Sequence, residues 1–371
     1  MDVRYRLLSF IKNFAGFRTN RKLIIFESDD WGSIRMPSLA TYKTLENQGI
    51  LLDSMGAGLF NKYDNLEDET DLSALFEILS SVKDKNGNFA VFTAVTAVAN
   101  PDFDKIQKEN FNEYYYEPFN ITYNKHQSHN STFGLWKEGV NSGVFIPQSH
   151  GREHLNTILW LQELQAGDKD TLLAFQHGIW GFVRKDNKPS YQVAFSFGSE
   201  KELEKQALIL EEGFQIFEDL FGNKPSFFVP PNGVLDTRLE YVTHRNNIKA
   251  LFGTFIQEYP AINYKTKKGL RYLGKLNQHG QKYILRNCLF EPNEPNIDWV
   301  NIAMRDIETA FQYHKPAILG PHRKNFIGSL DEKNRTKGLD TLRSLLRQIV
   351  KKWPDVEFIH SGQLSEIMTD N

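Results

Sequence analysis

Two carboxylates, Asp29 and Asp30, stand side by side in RKLIIFESDDWGSIRMP (21–37), where an apolar run stops. A second apolar run, GVFIPQSH (143–150), stops on His150, and His154 follows with three residues between them. On a helix, imidazoles four positions apart share one face about one turn apart, a spacing that lets two nitrogens reach one divalent cation. Alone, such a pair is as easily two structural histidines; its place after one strand, with paired aspartates ending another, raises it. Two His nitrogens and one carboxylate oxygen leave coordination positions open for water and substrate, as metal-assisted hydrolysis requires. Asp30 can complete that set, and Asp29 is then free to take a proton from activated water. A late run, AILGPH, ends on His322, a proton donor for a leaving group, and Asp298 in NIDWVN can orient it and keep it charged.

These residues need elements that bring strand ends together. Apolar runs bounded by turn residues recur at 22–30, 88–95, 143–150, 191–198, 225–233, 249–255, 283–292, 315–322 and 356–362. Helical patterns lie between many of them, at 153–165, 199–222, 299–314 and 338–353. Near-continuous apolar strands alternating with amphipathic helices argue for a parallel α/β sheet covered by helices, closed into a barrel. In such a barrel the chemistry collects at the carboxyl ends of the strands. The stretches 31–87 and 96–142 are long for loops and are expected to decorate one end. Their Tyr114, Tyr115, Tyr116 and Trp136 read as packing before sugar stacking, their His126 and His129 carry no assigned role, and His177 and Trp180 are weaker candidates for a groove wall.

The chain has 371 residues and a net charge of -2, with no basic block, which disfavours nucleic acid as a partner. Its one cysteine, Cys288, excludes an internal disulfide and sits in an apolar run as an inert thiol. Residues 1–18 read as an amphipathic helix that packs on the domain or lies on a membrane surface. No segment approaches a spanning helix, and no export signal is seen. The expected location is the cytoplasm, with membrane association at its inner surface through residues 1–18 as the sharper alternative.

In their order, SDD, His150 with His154, PPNG, DW at Asp298 and Trp299, and ILGPH, these motifs resemble the polysaccharide deacetylases, the NodB-homology or carbohydrate esterase family four domain. The resemblance spans residues from about 22 to about 366, nearly the whole chain. It implies one domain over 1–371: a distorted (β/α) barrel of about seven parallel strands, with two long insertions. The implied activity is metal-dependent removal of an acetyl group from an N- or O-acetylated sugar of a glycan or glycolipid. The cofactor would be one divalent ion, zinc first, held by Asp30, His150 and His154. Asp29 resembles the catalytic base, His322 the acid and Asp298 the residue that tunes it. Trp31, Pro231, Asn232, Gly233 and Trp299 resemble substrate-binding positions. The family's third motif usually begins with an arginine that pairs with the catalytic aspartate. Here that place is Val229, so either another cation such as Arg152, Arg286 or Arg323 substitutes or the base is tuned differently; the alternative is a barrel that binds glycan without turnover. The 120 positions between Asp30 and His150 also exceed the family's usual spacing and mark a divergent member.

Overall fold

The computed structural model describes residues 11–53, 59–125, 131–185 and 187–369. Residues 11–14 are helical, whereas most of the expected N-terminal helix, together with His126 and His129, lies outside the described residues. Eight strands share one sheet: β1 (Lys22–Trp31), β2 (Phe92–Thr96), β3 (Phe145–Ser149), β4 (Phe227–Phe228), β5 (Ala250–Phe252), β6 (Lys282–Ile284), β7 (Ala317–Leu319) and β8 (Val356–Phe358). Their spatial order is β6-β5-β4-β3-β2-β1-β7, with β8 also on β1, and the pairings are parallel. β1 is central, buried from Leu23 to Trp31, which is why KLIIF reads as an unbroken apolar run.

The two open ends of this order meet. Beyond β6, the Asn287 and Cys288 N–H groups donate to Ile318 O at 3.2 and 3.1 Å, and Cys288 bridges Leu319 of β7. The sheet therefore curls into a distorted barrel, and the buried Cys288 thiol, pushed well above its usual pKa by burial, is a packing residue in that seam.

Alternation along the strands sorts side chains between two faces. Leu23, Ile25, Phe227, Val229, Ala250, Ile284 and Ile318 form the inner cluster. Their neighbours Ile24, Phe26, Phe92, Phe145 and Leu319 face outward with the cluster that includes Leu75, Trp136, Ile307 and Leu346 from the covering helices Glu69–Leu79, Thr132–Asn141, Trp299–Gln312 and Glu332–Lys352. Continuing the inner period by two places Glu27 and Asp29 after Ile25, Arg286 after Ile284, and Gly320 and His322 after Ile318. The sequence thus stacks a polar layer on the apolar plug at the carboxyl end.

One expected strand is absent. Residues 191–198 form no strand, because their backbone is satisfied by side chains: Asn156 Nδ2 donates to Ser196 O at 2.7 Å, and Gln206 Nε2 to the same oxygen at 2.6 Å. Phe195 and Phe197 supply the apolar signal by packing in a cluster with Leu210 and Phe214 of the helix Glu200–Phe221. The two long stretches after β1 and β2 carry their own elements, including the helices Leu39–Asn47 and Phe119–Lys125 and the antiparallel pair Ala99–Pro101 with Tyr116–Pro118.

Candidate active site

Alternation would send Asp29 and Asp30 to opposite faces of β1. The pairing of β1 with β2 shifts register between Ser28 and Trp31, and Asp30 has φ 76°, the left-handed region that Asp tolerates better than most residues. That twist turns both carboxylates onto one cavity of about 190 Å³, lined also by His150, His154, Asn232, Gly233, Arg286 and His322. Trp31 takes the outward place instead. It is fully buried, edge-on to Trp136 and Phe145, and so belongs to the core and not to a substrate surface.

His150 and His154 do not share a helix. The helix after β3 begins at Thr157, and both imidazoles lie in the bend before it, where Gly151 adopts φ 92°. The bend brings the rings to 5.0 Å, with each Nε2 facing Asp30 Oδ1, at 3.5 Å from His150 and 3.6 Å from His154. Among the described residues these three form a group whose ligand atoms lie within 4.8 Å of one another.

The donor set fits a cation. His150 Nδ1 bonds to Val229 O at 2.7 Å, which places the ring proton there and leaves the Nε2 lone pair to the cavity. His150 Nε2 and Asp30 Oδ1 are buried without a hydrogen-bond partner, a costly arrangement that a bound cation resolves. Burial lowers the His154 pKa to about 3 despite Asp30, so its imidazole stays neutral. Trp180, a weaker candidate for a groove wall, stacks on His154 at 6.2 Å and donates Nε1–H to Ile34 O at 3.0 Å, so it backs that imidazole.

The cation beside Asp29 is Arg286. Its Nη1 and Nη2 bond both carboxylate oxygens at 2.6 Å, and Nε reaches Glu27 at 2.8 Å. Burial alone would raise the Asp29 pKa, but Arg286 overrides it and holds the group below its usual value. Val229 and Arg286 occupy the same inner layer on different strands, so the positive charge stands on the β6 side of the barrel. Gly320 makes this possible, since a Cβ there would collide with the Arg286 side chain. The other two candidate arginines are engaged elsewhere: Arg152 with Glu153 and Glu212, Arg323 with Asp64 and Glu67.

His322 points Nε2 toward Asp29 Oδ2 at 3.8 Å, and its Nδ1 bonds Glu291. Burial would lower its pKa, but Glu291 and the two aspartates raise it to about 9. Asp298, expected in the orienting role, is exposed and caps the helix Trp299–Gln312 by accepting from Asn301 N at 3.1 Å. Trp299 is half-buried on the outer cluster with Nε1 donated to Glu294 O at 3.1 Å, away from the residues that line the cavity. Pro231 is buried, whereas Pro230, Asn232 and Gly233 line the cavity, Asn232 with φ 54°.

The first insertion supplies residues that spacing did not reveal. A second cavity of about 230 Å³ shares Asp30, His154, Asn232 and His322 with the first and is walled by Arg35, Asp53, Phe60 and Asn61. Arg323, fully buried next to His322, bonds Asp64 at 3.0 Å, Glu67 at 2.7 Å and Ser33 O at 2.8 Å, which locks the insertion onto the strand end that carries His322. The Tyr cluster of the second insertion packs, as expected for Tyr114: its hydroxyl bonds Glu153 and its ring lies edge-on to Trp160.

No family model and no curated protein matches the chain. Solved structures do. A Parabacteroides distasonis protein provisionally named a glycoside hydrolase/deacetylase superposes with a TM-score of 0.51 at 9% identity, over 96% of this chain and 73% of that one. A Mycobacterium smegmatis protein provisionally named a polysaccharide deacetylase gives 0.46 at 11%, over 96% and 93%. The peptidoglycan deacetylase PdaC of Bacillus subtilis gives 0.34 at 12%, over 95% and 93%. The first of these, at 9% identity, is a likeness of fold alone, and chemistry has to be argued from the side chains.

Proposed function

We propose that this protein is a metal-dependent hydrolase that removes an acetyl group from an N- or O-acetylated sugar. The observation that carries the reading is the convergence of Asp30, His150 and His154 on one point, flanked by a cation-paired carboxylate and a charged imidazole. Asp30, His150 and His154 would hold one divalent ion, zinc first. When bound, such an ion supplies Lewis acidity for a carbonyl and lowers the pKa of water.

The chain's own groups divide the remaining work. Arg286 fixes the Asp29 carboxylate in plane and keeps it ionised, so its remaining lone pairs can accept a proton from water entering the cavity. Glu291 orients His322 through Nδ1 and keeps it protonated, so Nε2–H is presented to the departing amine or alkoxide. Gly32 N–H, one of two backbone donors to consider for a developing oxyanion, is already given to Glu67 at 3.2 Å, which leaves the turn at Asn232 as the better placed. With Arg286 beside Asp29, the motive for a barrel without turnover is gone. The direct test is acetate release from N-acetylglucosamine oligomers and from acetylated xylan, with metal content measured on the same sample. Metal-free protein at full activity would sink the proposal.

Two substitutions separate the roles. Because Glu291 raises the His322 pKa, the rate should hold below about 9 and fall as pH rises through it. Glu291→Gln should move that basic limb to lower pH, toward the ordinary histidine value of about 6.5, as read from kcat/KM profiles. Asp298→Ala should remove only a helix cap, costing about 1 kcal/mol in urea unfolding and leaving acetate release unchanged. A shifted pH profile in Asp298→Ala would return the orienting role to that residue.

A further inference from the structure

Between β5 and β6 the chain leaves the barrel as an antiparallel hairpin, Ile256–Ala261 paired with Lys265–Leu270, which joins no other sheet. Directly opposite residues share a face, so Ile256 and Leu270 stand together, with Glu258 and Lys268 next to them. Ile256 is 55% exposed and Leu270 60%, and the exposed Ile262, Tyr272 and Leu276 follow in the same segment. Tyr272 adjoins Leu270: Lys275 Nζ donates to Leu270 O at 2.7 Å and lies over the Tyr272 ring, and the backbone at Gly16 comes up against Tyr272. Exposed Lys267 and Lys265 leave the returning strand on its other side, toward the tip, and Glu258 is the one acid in the hairpin strands, paired with Lys268 at 3.9 Å.

Apolar side chains with Lys268 and Lys275 beside them, Lys265 and Lys267 on the other side of the same strand, and one acid in the hairpin strands fit the interface of an anionic bilayer: the apolar groups enter the headgroup boundary, and the ammonium groups meet lipid charge. A second copy of the chain would bring the same lysines face to face, which opposes self-association through this surface. We propose that the outer face of this hairpin docks the protein on an anionic lipid surface. The root of the hairpin belongs to the active-site wall. Thr254 lines the cavity and its hydroxyl donates to Ile256 O at 2.9 Å, while Gln257 Nε2 holds Gly233 O at 2.7 Å. A surface that engages the hairpin therefore holds the cavity beside the headgroups.

The test is co-sedimentation of the 371-residue chain with large vesicles of phosphatidylcholine, alone or with about one third phosphatidylserine. Binding is expected with the anionic vesicles only, weakening as salt is raised to about 0.5 M. The double variant Ile256→Asp, Leu270→Asp should keep its thermal midpoint, since both side chains are mostly exposed, and should lower the partition coefficient about tenfold or more. The pair Lys267→Glu, Lys268→Glu should weaken binding and flatten its salt dependence. Equal binding to neutral vesicles, no binding, or binding that survives both double variants overturns the proposal. So does a wild-type dimer in velocity sedimentation that Leu270→Asp dissolves, which would give the face to a second copy.

Discussion

Asp30→Asn should leave a folded barrel that takes up little or no zinc and has lost about three orders of magnitude in acetate release. The substitution keeps the side chain's shape, and Asn tolerates the left-handed backbone at this position as Asp does, so the strand end survives; Ala there would add backbone strain to the test. What disappears is the charge between two imidazoles. His154 stays uncharged at working pH, and His150 turns a lone pair inward, so the carboxylate is the anionic member of the set. Without it, a divalent ion would be held by two nitrogens and a neutral amide. A bound cation contributes several kcal/mol of transition-state stabilisation, and about 4 kcal/mol corresponds to a thousandfold in rate. Equilibrium dialysis with zinc, followed by metal analysis and an acetate assay on the same samples, checks both halves. Wild-type zinc stoichiometry in the variant would show that the ligand set has been misassigned.

Most of the site residues that could be read from sequence end apolar runs, and His154 is read from its spacing to His150. Asp29, Asp30, His150 and His322 each break a run where a core residue would continue it, and a barrel collects such breaks at one face. Glu291 and Arg286 carried a similar signal, as charges within YILRNCLFEP, and the period-two step from Ile284 to Arg286 and from Phe227 to Val229 puts the arginine in the layer where Val229 stands. Two residues that the resemblance implied stand away from the cavity. Trp31 follows the aspartates but alternates outward into the core, and Asp298 precedes a helix, where an acid is a cap as readily as a catalytic partner. The first insertion was opaque for another reason. Arg35, Asp64 and Glu67 lie in a stretch whose composition resembles surface, yet all three are buried against Arg323 or one another. Buried ion pairs leave no periodicity, because what selects them is a partner hundreds of positions away.

Arg286→Ala should be the most damaging single change outside the metal ligands, and its damage should depend on pH. Glu27 is fully buried and Asp29 nearly so, and Arg286 is the cation that both carboxylates contact. Removing one partner of a buried ionic group costs about 3–5 kcal/mol, because the charges left behind are desolvated and unpaired. In the wild type, Asp29 is held below its unfolded pKa, so its stabilisation is present above that value and fades as pH falls through the folded one. In the variant the sign reverses. Burial, together with the neighbouring carboxylate, raises both acids above their unfolded values, so folded protein loses stability as pH rises past about 4. The gap between wild type and variant should therefore be widest near pH 8 and narrow toward pH 4 in urea titrations. A gap independent of pH would mean that Arg286 acts through packing and not through charge. Catalysis adds a second reading. An Asp29 that is partly protonated and no longer held in plane is a poor base, so the rate should fall about a hundredfold even where the fold is intact. Arg286→Lys separates the two effects. A lysine restores the charge, and with it much of the stability, but one ammonium cannot serve both oxygens of Asp29 and reach Glu27 as the guanidinium fork does. Stability should return further than activity, because orientation of the base, and not charge alone, is what the fork on β6 provides.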